Sequence, residues 1–239
     1  IVTEQERNGF KLDIPFAEKL MMDLMFEMNN IEASLQDIFP PIVEERISEK
    51  TGKRLKDKVT VFNPGSRKQI AERLQGLGVK FNKKTEKGNI IVDEKVLEGI
   101  DLPEAKAVAR YMMLQKRVAQ IDSWLKAVKD DGRVHGRVIT NGAVTGRMTH
   151  QSPNMAQVPA VSAPFGTECR SCWTVDEGNV LVGIDASGLE LRMLAHYMDD
   201  ENYTNELLNG DIHTANQRAA GLESRPLAKT FIYAFLYGA

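Results

Sequence analysis

Residues 180–198 read Val180-Leu181-Val182-Gly183-Ile184-Asp185-Ala186-Ser187-Gly188-Leu189-Glu190-Leu191-Arg192-Met193-Leu194-Ala195-His196-Tyr197-Met198. The first five residues are rich in β-branched side chains and predict a short buried strand. The run ends on a carboxylate, Asp185, where the chain must turn. Leu191, Leu194, Ala195 and Met198 then recur at i, i+3, i+4 and i+7, one face of a helix. A carboxylate at the end of a buried strand is costly unless it is paired or metal-bound, so Asp185 is a candidate metal ligand. Ser187 and Glu190 also carry the S-x-x-E spacing of a helix capping box, a purely structural use of the same residues.

The surrounding chain has the composition of a globular protein. Of its 239 residues, 42% are hydrophobic and 27% charged, enough for a real core in one or two domains. No apolar run approaches the roughly 18 residues of a membrane span, and the polar start Ile1–Arg7 is not a signal peptide. It lacks an initiator Met, so the chain is expected to begin inside a longer parent. A membrane partner is therefore not expected. Cys169 and Cys172 stand alone in a Cys-x-x-Cys spacing with no second pair for zinc, which predicts two ordinary reduced thiols and an intracellular protein.

The net charge of −2 hides a local excess. Between Lys53 and Lys87 there are eleven basic residues and three acidic ones, a balance of +8. Such a stretch is an electrostatic footprint for a phosphate backbone, although a merely solvated surface would look the same in isolation. On its N-terminal side, Met21, Leu24, Met28, Ile31, Leu35 and Ile38 alternate at spacings of three and four, a heptad seam. That helix starts near Pro15 and stops at Pro40-Pro41. Its expected partner is a helix over Pro103–Val128, with Val108, Met112, Ala119, Leu125 and Val128 on the apolar face. Between them, Val59–Phe62 predicts a strand, and Asn63-Pro64-Gly65-Ser66 opens a helix ending near Gly76 or Gly78.

At the other end, Gly210-Asp211-Ile212-His213-Thr214 opens one helix and Ser224-Arg225-Pro226 another. In the last helix, Arg225, Lys229, Tyr233 and Tyr237 fall four apart, on one side. Two cations and two aromatics in a row suit a ligand with a phosphate tail and a flat base. A salt-bridged surface helix is the plainer reading of the same spacing.

These strings share a resemblance. Asp185-Ala186-Ser187-Gly188-Leu189-Glu190-Leu191-Arg192 closely resembles motif A of family A DNA polymerases, in the form found in replicative polymerases of short-tailed phages. Arg225 to Gly238 resembles motif B, with Ala234 where the family usually has Gly, an added bulk expected to tighten the nucleotide pocket. Asn63-Pro64-x-Ser66 and Lys83-Lys84-Thr85-Glu86-Lys87-Gly88 resemble thumb segments that grip the minor-groove backbone, and Arg110–Arg117 the thumb helix that brings Lys116 and Arg117 near the duplex. Thr145-Gly146-Arg147 resembles the element whose Arg reaches the primer terminus, and Asn154 and Gln157 match the element that follows. The resemblance runs from about Gly9 to Ala239.

The resemblance implies an α+β right-hand polymerase fold, present in part. Its pieces are a lead-in from an upstream domain (1–14), a helical thumb (15–130), part of the antiparallel palm sheet (131–209) and the start of helical fingers (210–239). It implies template-directed DNA synthesis, with Asp185 and the Ala186 carbonyl on one of two Mg²⁺ ions and Lys229 catalytic. Glu190, His213, Arg225, Lys229 and Tyr233 would bind the dNTP, with Glu190 crowding a ribose 2′-OH. Asn63, Ser66, Lys83, Lys84, Lys116, Arg147, Gln157 and Tyr237 would bind primer-template DNA. None of the four His residues is followed by Asp, so the family's late His-Asp motif, source of the second metal carboxylate, is absent. The chain is thus expected to be a fragment or split half, inactive alone and partnered by a C-terminal polymerase segment, in the cytoplasm of a bacterial host. The 40–58 stretch is too short for the thumb insert that recruits a processivity partner in some phage polymerases, so no such partner is expected. Two alternatives stay open, a single-subunit RNA polymerase, which Glu190 disfavours, and a non-catalytic DNA-binding module.

Overall fold

The structure is a computed structural model and describes residues 1–238. The chain divides into two compact units, residues 1–142 with 148–179, and residues 143–147 with 180–239.

In the first unit, α1 (Val2–Asn8) leads into β1 (Phe10–Leu12) and then α2 (Ile14–Ile38). Gly9, at φ +62°, makes the corner between α1 and β1; a Cβ there would lie 2.9 Å from the Val134 carbonyl oxygen. Asp13 caps α2 by accepting from the Phe16 N–H at 3.1 Å, and Pro15 sits in the first turn. A hairpin follows, β2 (Ile42–Ile47) and β3 (Arg54–Thr60), then α3 (Arg67–Gly76), α4 (Glu94–Glu98) and α5 (Pro103–Ala127). The remaining elements of this unit are β4 (Arg133–Val134), β5 (Arg137–Ile139), β6 (Thr149–Gln151), a 3₁₀ turn at Met155–Gln157, α6 (Gly166–Ser171) and β7 (Trp173–Thr174).

β1 is the middle of a three-stranded antiparallel sheet in the order β4-β1-β7, pairing Phe10 with Val134 and Leu12 with Trp173. Asp176 clamps its edge, accepting from Lys11 Nζ at 2.6 Å and from Arg133. Lys11 first, and Arg133 next, hold that carboxyl below its ordinary range. β5 pairs with β6, again antiparallel.

The α2 and α5 helices run antiparallel along two adjoining cores. Early α2 residues Leu20 and Leu24 share one core with late α5 residues Ile121 and Trp124, while Leu35 shares the other with Val108. Arg110 fastens the pair through a two-pronged bond to Glu27, at 2.7 and 3.0 Å. Trp124 is fully buried and meets Trp173 edge-on, with ring centroids 5.1 Å apart. Truncating such a side chain to Ala costs about 3–5 kcal/mol.

The α2 seam is as the heptad spacing predicts, except that Ile38 is exposed. The α5 face differs more. Val108 is buried, but Ala119 is exposed, and Tyr111, Leu114, Ile121 and Trp124 are buried instead. The reason is that α5 is covered on more than one side, by α2, α3 and α4, so its apolar residues do not form one narrow stripe. Arg117 is also buried, donating to the Pro164 carbonyl at 3.0 Å, so this expected DNA-facing cation is a packing residue.

The β2–β3 hairpin is absent from the sequence reading, which has only a strand at 59–62. The strand instead ends at Thr60 and Phe62 is buried in the second core. Both faces of β2 are exposed, so no period-two alternation marks it.

The second unit is helical: α7 (Leu189–Met198), α8 (Glu201–Asn209), α9 (Ile212–Ala219) and α10 (Arg225–Leu236). Asp200, Asp211 and Ser224 cap α8, α9 and α10 with their side chains. Leu191 and Ala195 of the predicted α7 face are buried, Leu194 is half-buried and Met198 is exposed. Two expectations fail here. Residues 180–184 are not a strand, and Val180, Leu181, Val182 and Ile184 are exposed. A strand needs a hydrogen-bonded neighbour, and none of the described strands pairs with this run. The Ser187/Glu190 capping box does not form either: Gly188, in the left-handed region, is the N-cap, and Glu190 is engaged by Arg147. Among the described residues, no helix is long and apolar enough to cross a membrane.

Candidate functional site

In the second unit the candidate residues gather on α7, α9, α10 and the 143–147 loop. The α10 spacing of four places Arg225, Lys229, Tyr233 and Tyr237 in a row, with Tyr237 just past the last helical residue. The helix begins at a side-chain cap, Ser224, with Pro226 in the first turn. α9 packs beside it, and the His213 and Tyr233 ring centroids are 6.4 Å apart.

Arg225 is held in a two-pronged bond to Asp211, at 2.7 and 3.1 Å. Asp211 is thus shared: it accepts from Arg225, from the α9 backbone at His213 and Thr214, and from the Thr214 hydroxyl. The Arg225 contact first, and Thr214 next, hold its carboxyl far below the ordinary range. The sequence marks Asp211 only as a helix opener; its bond to Arg225 joins two helices and has no local signal. Burial first, then the Arg225 and Lys229 cations, push the His213 imidazole below its usual value. Lys229 is exposed and pairs with no carboxylate among the described residues.

Arg147 donates to Glu190, and its guanidinium lies 4.9 Å from the Tyr237 ring centroid. Glu190's own backbone N–H, then Arg147 and the Tyr237 hydroxyl, favour its ionised form. Burial, followed by the Glu190 charge, raises the Tyr233 phenol. Glu190, Arg147, Tyr233 and Tyr237 therefore sense one another within this unit.

Asp185 and Ala186 lie apart from this cluster's hydrogen bonds, on an exposed irregular segment. Asp185 has no ion-pair partner among the described residues, and no group of three metal-ligating side chains assembles among them. A Mg²⁺ ion takes near-octahedral oxygen ligands, commonly one or two carboxylates with phosphates and waters. The described residues therefore do not fit a two-ion centre by themselves; they offer one carboxylate and the Ala186 carbonyl.

The remaining candidates belong to the first unit. Asn63 closes a tight turn by accepting from the Gly65 N–H at 2.8 Å, and Ser66 caps α3. This leaves the exposed Arg67 and Lys68 in the first helical turn, beside free backbone N–H groups. A cleft of about 790 Å³ runs from there to Thr85, Gly88 and Asn89. Lys83 and Lys84 are exposed and unpaired among the described residues. The hairpin trims the +8 excess, because Glu44 and Glu45 on β2 face Lys58 and Arg54 at 3.1 and 3.4 Å. Lys116 lies 3.9 Å from Glu94 and lines a second cleft, about 640 Å³, together with Asn154 and Gln157. Gln120 ties that cleft's floor by donating to the Gln157 carbonyl at 2.6 Å.

Cys169 and Cys172 are free and fully buried in the first core. Burial first, and the neighbouring Cys169 next, push the Cys172 thiol up to about 12. They are packing residues, as the absence of further ligands in the sequence implies.

Known proteins align with this arrangement. The chain is 50% identical over 200 residues to the DNA-directed DNA polymerases of Enterobacteria phage T3 and Escherichia phage T7, a match covering 75% of this chain and 28% of each relative. Its whole length aligns at 29% identity with the thermostable DNA polymerase I of Thermus aquaticus, again over 28% of that protein. The chain thus spans about a quarter of the length of the curated relatives it matches. A solved structure, the POL domain of Pol1 from M. smegmatis in complex with DNA primer-template and dNTP, shares the fold over 100% of this chain and 41% of that one, with a TM-score of 0.77 at 22% identity. Since the profile of DNA polymerase family A matches residues 41–239, taking in α3, α5, the 143–147 loop and the α7–α10 cluster, the chain belongs to DNA polymerase family A.

Proposed function

We propose that the chain is the thumb, partial palm and first fingers helix of a template-directed DNA polymerase. The observation that carries this reading is the α9–α10 face, where two cations, an imidazole and two tyrosines line up beside Glu190 in one unit. Arg225, already oriented by Asp211, and the exposed Lys229 bind the triphosphate. His213 adds a hydrogen bond, Tyr233 packs on sugar and base, and Tyr237 stacks by the templating base. Glu190 crowds a ribose 2′-OH, which favours a DNA-making over an RNA-making enzyme.

Primer-template DNA is the second partner. Lys83, Lys84, Asn63 and Ser66 track the duplex backbone at the thumb tip, Lys116 and Gln157 line a second cleft, and Arg147 reaches the minor groove. Minor-groove acceptors look much alike for all base pairs, so these contacts test pairing geometry without reading sequence. Mg²⁺ follows from the family, with Asp185 and the Ala186 carbonyl the ligands this chain would offer. The boundaries 15–130, 131–209 and 210–239 for thumb, palm and fingers, a C-terminal polymerase segment as partner, and residence in a bacterial host's cytoplasm belong to the same proposal.

The test is dATP titration of the chain. Lys229→Ala is expected to weaken binding by roughly tenfold or more, the loss of one charge-assisted hydrogen bond. Unchanged affinity would refute the nucleotide face.

A further inference from the structure

Among the described residues Arg117 is the buried charged side chain, and no carboxylate pairs with it. A buried cation without a counter-charge is costly, so its partners are informative. They are neutral. Arg117 Nε donates to the Pro164 carbonyl at 3.0 Å, and Nη1 donates to Gln120 Oε1 at 3.4 Å. Gln120, three residues along α5, then uses the other end of its amide: Nε2 donates to the Gln157 carbonyl at 2.6 Å. The three residues form one chain of hydrogen bonds, from α5 to the 3₁₀ turn that carries Gln157.

That chain has a fixed sense. An arginine only donates, so Gln120 shows it the amide oxygen and keeps the NH₂ group for the Gln157 carbonyl. The first bond is long, but its charge–dipole sense still decides which way the amide faces. Without the cation, the two ends of the Gln120 amide are nearly the same size, and a turned amide would set oxygen against the Gln157 carbonyl oxygen. Other side chains hold the turn as well. Asn154 accepts from the Ala156 N–H at 3.1 Å, and Arg170 donates to the Pro159 carbonyl at 2.9 Å. The backbone of Gln157 is therefore fixed, while its exposed side-chain amide makes no hydrogen bond among the described residues. Arg117, Gln120, Asn154 and Gln157 line the same cleft of about 640 Å³. A free neutral amide there suits a base edge better than a phosphate, and the minor groove offers N3 and O2 acceptors.

We propose that Arg117 and Gln120 are positioning residues: the Arg117–Gln120–Gln157 relay fixes the turn so that the Gln157 amide donates to a minor-groove acceptor of the primer-template. The contact with DNA rests on the primer-template reading of this cleft; the relay does not. A hydrogen bond holds over only about 2.7–3.2 Å, so a turn that drifts by about an ångström loses the contact without losing the fold. Arg117 touches no phosphate. Its charge orients Gln120 and leaves phosphate binding to the neighbouring Lys116.

The test is fluorescence-anisotropy titration of the full chain with primer-templates in which 3-deazaadenine replaces adenine at successive duplex positions. The analogue lacks the N3 acceptor. At one position the unaltered chain is expected to bind it about fivefold more weakly than adenine, the loss of one hydrogen bond, and Gln157→Ala is expected to show no such penalty. Gln120→Met keeps the side chain's length and neutrality but cannot donate. It should abolish the penalty as Gln157→Ala does, with a salt slope and melting temperature close to those of the unaltered chain; a merely structural role would move the melting temperature and not the penalty. Arg117→Met should shrink the penalty, again with the slope unchanged. A Gln120→Met chain that keeps the full penalty would overturn the relay. So would a slope lowered by about 0.9 in Arg117→Met, the mark of a lost phosphate contact. The same penalties in the unaltered chain and in Gln157→Ala would overturn the DNA reading of Gln157, and the positioning role with it.

Discussion

Arg147 Nη2 donates to Glu190 Oε1 while its guanidinium sits over the Tyr237 ring. A residue assigned to the primer terminus thus holds the residue assigned to the sugar gate, and both touch the one assigned to the templating base. Glu190→Ala removes the carboxylate and releases Arg147. In an active polymerase carrying this chain, ribonucleotide incorporation relative to deoxyribonucleotide should rise by roughly tenfold or more. An unmoved ratio, measured by single-nucleotide insertion, would mean that Glu190 serves only to position Arg147.

The thumb tip should bind duplex DNA without sequence preference and with steep salt dependence. Each neutralised phosphate adds about 0.9 to the slope of log affinity against log salt. Replacing Lys83, Lys84 and Lys87 with Gln should lower that slope by up to about 3. A slope equal to that of the unaltered chain, in fluorescence-anisotropy titrations, would place the DNA elsewhere.

Acid should weaken the second unit through His213. Its folded pKa is depressed, so the unfolded chain takes up a proton that the folded chain resists. This contribution is intact above the unfolded value of 6.5 and is lost as pH falls from there through the folded value. Asp211 is also depressed, but from 3.8, so its loss comes only in stronger acid. Thermal melts between pH 8 and pH 5 should show a drop that His213→Gln reduces. Parallel curves for the two proteins would contradict the depressed imidazole.

The two thiols should be inert in the folded chain. With the Cys172 pKa near 12, on the order of one thiol in ten thousand is ionised at pH 8. Ellman's reagent should modify Cys169 and Cys172 only on unfolding, with a rate that follows added urea. Fast reaction in native buffer would show that the first core is open.

What the residues revealed in advance were features with local causes. Pro15 marks the start of α2, Ser66 the cap of α3, and the spacing of four the face of α10. What they hid depends on distant neighbours. The apolar run 180–184 reads as a strand, yet none of the described strands pairs with it. Ser187 and Glu190 match a cap by spacing, but Arg147, forty-three residues away, claims the carboxylate. Arg117 reads as a free cation, and only the Pro164 carbonyl explains its burial. Asp211 was visible as a cap and invisible as the anchor of Arg225, because that bond joins two helices.

The central claim is that Asp185 serves template-directed synthesis. The most direct measurement is primer extension by this chain joined to the downstream segment of the phage T7 relative, with Asp185 intact and as Asp185→Ala. The account predicts Mg²⁺-dependent insertion of the templated nucleotide by the first, none by the second, and primer-template affinity within a few-fold for both. Extension by Asp185→Ala at the rate of the intact protein, or insertion that ignores the template base, would contradict it.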